Sequence, residues 1–438
     1  MLKFIMRMTL GLFLIAHLGA QTQGEIIQEA SVRATLTHLA SDALMGRDTP
    51  SPGLNAAAAW IENQFREAGL KSLPGLHGYR HHYKKPGWVV KGDDLQLTVR
   101  AGKKSVTLKP GQDVRVYSNT RAVDVKDAPL ARKRRRRGKP RPAARIIEVT
   151  TDSPLWKTAE GERRVLKSRW GGGGTVLLVR RGLLPAGDLV GDLHLPAPSS
   201  VELDLTNVVG WLPGRTQKDK YVMLSAHYDH IGLKAGSGDD VIANGADDDA
   251  SGTTAVVELA KSLGGRKRAP ARSLLFVCFS GEEKGLLGSV AFAKTPPVPL
   301  DDIIADINIE MIGRPQEGKR MAAWLTGEDF SDFKDFAARA FKRTGVDLIS
   351  FGMARQLFGQ SDNWPLAVKG IVAHSVSAGS LHKDYHQVTD EVEKIDIEHM
   401  TRIIGGLREL ALELANAENA PRYNEKGKAV LDRRTRRR

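Results

Sequence analysis

The spacing of apolar residues changes character twice along the chain and so divides it into three regions. Near the start, Val32, Leu36, Leu39 and Ala43 recur at helical spacing, as do Leu54, Ala58, Ile61, Phe65 and Ala68. Turn formers between Met45 and Gly53 separate these stripes, and Gly69 ends the second, which predicts two helices. From about Tyr79 to Val201 the period falls to two. Leu95–Val99, Ser105–Leu108 and Thr175–Val179 read as strands of a smaller β-rich unit. From Asn207 to Leu414 apolar runs alternate with helical stripes, the pattern of an α/β sheet. Strands are expected over Tyr221–Ala226, Ser273–Phe279, Ile304–Ile309 and Gly370–Val376, with helices over Ser251–Leu263 and Met400–Leu414.

The expected fold is therefore α/β: a mixed, mostly parallel central sheet with helices on both faces, interrupted by an inserted β-rich domain. The expected divisions are N-terminal helices over 21–78, the insert over 79–204, the core over 205–418 and a basic disordered tail over 419–438. Ahead of these, Lys3 and Arg7 precede an apolar stretch from Met8 to Ala16 and the small pair Gly19-Ala20. That order is the pattern of a secretory signal peptide over 1–20, so a secreted or periplasmic location is expected.

Charge alters this picture little. The net charge of +14 would suit a nucleic-acid binder, but eight positive charges lie in the run 132–141 and five more in 433–438. The rest of the chain carries only +1. No specific nucleic-acid partner is expected, and the two runs suit solubility or weak attachment to anionic surfaces. The single cysteine, Cys278, excludes an intrachain disulfide and any C-x-x-C site, so a metal would need His, Asp and Glu ligands.

Such residues cluster where the predicted strands end. The first strand runs into His227-Tyr228-Asp229-His230, the second into Ser280-Gly281-Glu282-Glu283 and the third into Glu310-Met311. Open α/β sheets form their sites beyond the carboxyl ends of strands, so these segments should meet. Asp247, Asp248 and Asp249 precede a helix. Capping accounts for one acid there, whereas three adjacent acids repel unless a cation neutralises them. Adjacent Glu282 and Glu283 point in different directions, so one can bind a metal while the other accepts a proton.

These motifs, "LSAHYDHIG", "NGADDDASG", "FSGEEKGLLGS", "NIEMIGR" and "KDYHQVTDE", resemble the cocatalytic zinc aminopeptidases of the bacterial leucyl aminopeptidase type. Relatives of that family include glutamate carboxypeptidases and one-zinc glutaminyl cyclases. The resemblance covers Asn207 to Leu414 and extends to the leading helices, and it implies an insert similar to a protease-associated domain. It also implies two zinc ions bridged by Asp248, with His227 and Glu310 completing one set and Glu283 and His386 the other. Glu282 would be the general base, acting on metal-activated water, and Asp229 would orient the His227 ring. The implied activity is removal of N-terminal residues from a peptide substrate. A carboxypeptidase, a glutaminyl cyclase and an inactive binding ectodomain are the alternatives. The chain departs from the family pattern in carrying Glu310 where aspartate is commonest and Asn363 where histidine is frequent.

Overall fold

The computed structural model describes residues 26–132, 142–167, 174–234 and 238–435. The expected signal peptide and nearly all of the basic run at 132–141 lie outside these residues.

Nine strands form the central sheet. They are β1 (Arg80–Val90), β2 (Arg163–Leu166), β3 (Ser199–Leu212), β4 (Gln217–His227), β5 (Arg272–Phe279), β6 (Ile303–Ile309), β7 (Ala322–Leu325), β8 (Asp347–Leu348) and β9 (Val372–Ser377). Their order is β8-β7-β9-β6-β4-β5-β3-β1-β2. Strands β9, β6, β4 and β5 run parallel at the centre, whereas β3, β1 and β2 extend one side as an antiparallel ladder. The central strands read as continuous apolar runs because both faces are covered. Every residue of β5 is buried.

Alternation sends successive side chains to opposite layers. Val222, Leu224, Phe276 and Cys278 face one core with helices α1 (Glu29–Leu39), α2 (Pro52–Glu67), α3 (Gly252–Gly264), α5 (Phe333–Thr344) and α7 (Ile397–Asn416). Met223, Leu275, Val277 and Phe279 face the other with α4 (Leu287–Lys294) and α6 (Asn363–Ala367). Helix α3 packs so closely that a Cβ at Gly252 would lie 2.3 Å from the Ile309 carbonyl oxygen.

The boundaries differ from those expected in two places. The expected insert over 79–204 includes β1, β2 and part of β3, yet these belong to the central sheet. The separate seven-stranded sheet lies between Gln96 and Leu195, a stretch that β2 leaves to join the central sheet, and it has its own core around Leu97, Val99, Ile146 and Leu193. Strand β1 escaped the alternation signal because Lys84, Lys85, Pro86 and Gly87 interrupt its apolar positions, with only Gly87 of the four buried.

The expected disordered tail over 419–438 is the other difference. Helix α8 (Glu425–Thr435) follows Tyr423, whose hydroxyl donates to the Ile371 carbonyl at 3.0 Å and accepts from the Ala373 amide at 3.1 Å. Val430 and Leu431 pack against the second core beside it. A chain ending at Ala420 should therefore lose about 2–4 kcal/mol through these contacts. Thermal unfolding of full-length and truncated chains checks this; equal midpoints would contradict it.

Candidate metal centre

The parallel strands deliver three clusters to one edge, as strand-end geometry requires. His227 is the last residue of β4, Glu282 and Glu283 follow β5, and Glu310 follows β6. Asp248 lies in the turn ahead of α3 and His386 in the loop after β9. All five residues expected to bind metal are brought together. His227 Nε2 is 3.4 Å from Asp248 Oδ1 and 3.6 Å from Glu310 Oε2. On the other side, His386 Nε2 is 3.1 Å from both Asp248 Oδ2 and Glu283 Oε1. The two oxygens of Asp248 thus face two different ligand groups.

A sixth residue, His230, joins the second group and was not singled out from the sequence. Its Nδ1 is 2.9 Å from Glu283 Oε1 and 3.8 Å from Asp248 Oδ2. The ring is fully buried, and neither nitrogen has a hydrogen-bond partner among the described residues. Gly245, at φ +57°, makes room for it: a Cβ there would lie 2.5 Å from the ring. The only sequence signal was a second histidine within His227-Tyr228-Asp229-His230.

The remaining acids are held by backbone donors. Asp249 accepts from the amides of His227, Gly252 and Met311 at 3.3, 3.0 and 3.1 Å. Asp247 accepts from Gly313, and Asp390 from the amides of Asp247 and Asp248. Asp229 departs from its expected contact. The atom nearest His227 Nδ1 is its backbone carbonyl oxygen, at 3.0 Å, while its carboxylate lies 3.7 Å away. That carboxylate accepts instead from the Glu282 amide at 3.1 Å and the Thr49 hydroxyl at 3.0 Å, so it fixes the backbone of the expected base. Asn308 donates to Glu310 at 3.2 Å, and Ser361 also donates to it. Asn363 is buried and spent on Ser375 and the Phe358 carbonyl, away from the cavity wall.

The electrostatics fit a cation. Burial alone would lower the His386 pKa, but Asp248 and Glu283 raise it to about 9. Burial alone would raise Glu283, but His230 and His386 bring it down to about 2. Positive charge is therefore strongly favoured between these groups, which a dication satisfies better than protons. Neutral imidazole with carboxylate is a donor set suited to zinc. Orphaned acceptor atoms on Asp248 and Glu283 and the unpartnered nitrogen of His386 point the same way. Glu282 differs from Glu283. Burial holds its carboxyl well above the usual range, and Asp362, Glu310 and Glu283 push in the same direction.

Residues 207–411 match the family model described as peptidase family M28. This segment belongs to that family. The chain is similar to "Leucine aminopeptidase 1" of Coccidioides posadasii, 29% identical over 222 residues, covering 48% of this chain and 56% of that protein. A "Probable zinc metalloprotease" of Pyrenophora teres f. teres is 36% identical over 113 residues, 25% of this chain and 23% of the relative. The chain thus spans 23% to 56% of the length of these relatives. In fold it is similar to a zinc aminopeptidase from Bacillus subtilis, with TM-score 0.59, 16% identity and coverage of 90% and 97%. An aminopeptidase from Aneurinibacillus gives TM-score 0.52 at 18% identity, with coverage of 92% and 97%.

Arg47 supports the M28 centre from beneath. Its buried guanidinium donates to the carbonyl oxygens of Leu39, Asn244, Gly245 and Tyr228, tying the first helix to both ligand loops. Arg47→Met should leave these carbonyls unpaired and cost about 3 kcal/mol or more, with Arg47→Lys recovering only part of it. Denaturant titration of the three proteins measures this; a Met variant as stable as the parent would contradict it.

Proposed function

We propose that this chain is an exported aminopeptidase of family M28 that works with two zinc ions. The observation that carries the reading is Asp248, a buried carboxylate with one oxygen toward His227 and Glu310 and the other toward His386 and Glu283. In this reading His227, Asp248 and Glu310 hold one ion, and Asp248, Glu283 and His386 the other, with His230 as a fourth donor. Tetrahedral zinc with bonds of about 2.1 Å places its ligand atoms roughly 3.4 Å apart, close to the separations among these groups. When bound, zinc supplies Lewis acidity that polarises a carbonyl and makes water more acidic.

The protein's own groups do the rest. Glu282 accepts a proton from the attacking water and returns it to the amine nitrogen as the carbon–nitrogen bond breaks. Asp229, through the Glu282 amide, keeps that carboxylate directed at the cavity. Beside Glu282, His227 and Glu310 lies a cavity of about 130 Å³ walled by Met311, Trp324, Phe351, Leu357 and Leu381. Its size and apolar wall suit a single hydrophobic side chain, which supports removal of one apolar N-terminal residue rather than internal cleavage. The segment over 1–20 supports export through its order of charge and apolar residues.

Three variants separate the roles. Glu282→Gln should keep zinc while turnover of leucine anilide falls by about 10²–10⁴-fold. Glu283→Gln should lose zinc, because an amide is a poorer ligand than a carboxylate. His230→Ala should retain the ion near His227 and bind the other at least about 10–100-fold more weakly, since loss of even a group that only supports a ligand acts on that scale. Zinc per chain by elemental analysis, with turnover of free and N-blocked substrates, checks all three. Hydrolysis of blocked substrates alone would overturn the aminopeptidase reading.

A further inference from the structure

A second, larger cavity of about 890 Å³ opens from the same centre toward the insert. Glu282 and Gln360 line both cavities, so the proposed base stands at their junction. If the apolar pocket takes the residue on one side of the bond to be broken, the larger cavity receives the part of the substrate that leaves.

The walls of this cavity are basic. Arg163, Arg164 and Lys167 come from β2 and the residue after it, Lys85 from β1, and Lys284 from the loop after the Glu282–Glu283 pair. Asp48 is the only acidic lining residue apart from that pair, and it is 2.6 Å from Lys284. Neutral groups position two of the other cations. The Arg163 guanidinium lies 4.2 Å from the Tyr117 ring centre and donates to the Tyr117 carbonyl. The Lys167 ammonium lies 4.5 Å from the centre of the Trp88 ring, and no carboxylate pairs with Arg164 among the described residues. The body of the chain is nearly neutral, so this concentration beside the centre is local. A cleft lined by one sign of charge concentrates ligands of the opposite sign.

We propose that the basic cavity recognises carboxylate on the leaving portion of the substrate, so that short anionic peptides are preferred. This inference rests on the aminopeptidase reading for the direction of the peptide. Two sources of carboxylate are available: an acidic side chain just after the bond, or the terminal carboxylate of a dipeptide. The strand β2 ties this preference to the insert, because β2 leaves the small sheet region to pair with β1 at the edge of the central sheet.

The test uses the full-length zinc-loaded protein and matched peptides. Leu-Asp-amide against Leu-Asn-amide reads the acidic side chain, and Leu-Ala against Leu-Ala-amide reads the terminal carboxylate. We expect kcat/KM to favour the charged member of at least one pair by fivefold or more, mainly through KM. The ratio should shrink toward one in high salt and in Arg164→Gln/Lys167→Gln. Arg164→Glu/Lys167→Glu should reverse it, favouring Leu-Lys-amide, which a merely destabilised protein would not do. Ratios near or below one in the parent, or ratios unchanged by both double variants, would overturn the proposal. Calorimetric binding of the same peptides to Glu282→Gln distinguishes the two readings. Absence of hydrolysis with a charge preference in binding would sink the aminopeptidase activity alone, and hydrolysis without any preference would sink the basic cavity alone.

Discussion

The structure depends on a solution to one electrostatic problem: many carboxylates are buried at the edge of a sheet made from apolar strands. An unpaired charge in such a place costs several kcal/mol, so each acid must find compensation nearby. Two kinds are used. Asp249 and Asp390 accept from backbone amides, and Asp247 accepts from the Gly313 amide while the His382 ring lies 3.1 Å from its other oxygen. Asp248, Glu283 and Glu310 face imidazole nitrogens instead, and keep the acceptor atoms that a cation needs.

This division also explains why the loops are so well packed. An acid that consumes backbone donors fixes the loop that offers them, and thereby fixes its neighbours. Asp249 joins the end of β4 to the start of α3 and to the segment after β6, with Asp248 held one position away. Arg47 completes the frame by collecting four carbonyl oxygens from three separate points in the chain. The acids that never touch a metal are what place those that can.

Much of this was legible in the sequence because the central strands are long apolar runs and the polar residues follow them directly. The runs ending at His227, Phe279 and Ile309 mark both the strands and the edge where they meet. What could not be read depends on contacts far apart in the chain. Nothing in Gly46-Arg47-Asp48 announces that the arginine is fully buried. His230 needed the space left by Gly245, fifteen positions later and on another turn. The ring contact of Asp229 turned on whether its main-chain or side-chain oxygen lay nearer, a matter of local backbone path. The tail is dominated by arginine and lysine, which hid the few residues, Tyr423, Val430 and Leu431, that anchor it.

The placement of the small sheet has a consequence for how this architecture can change over time. Strands β1 and β3 pair in continuous register from Arg80 opposite Val208 to Val89 opposite Ser199. Everything between them is, topologically, the loop of one β-hairpin, whose two ends the ladder holds at neighbouring positions. The entropy of closing a loop grows only logarithmically with its length, so such a mouth can accept a short turn or a whole domain at similar thermodynamic cost. Replacement of this cassette would alter what overhangs the cleft while leaving the ligand-bearing edge in its own part of the chain. Lineages could therefore exchange selectivity without rebuilding the centre.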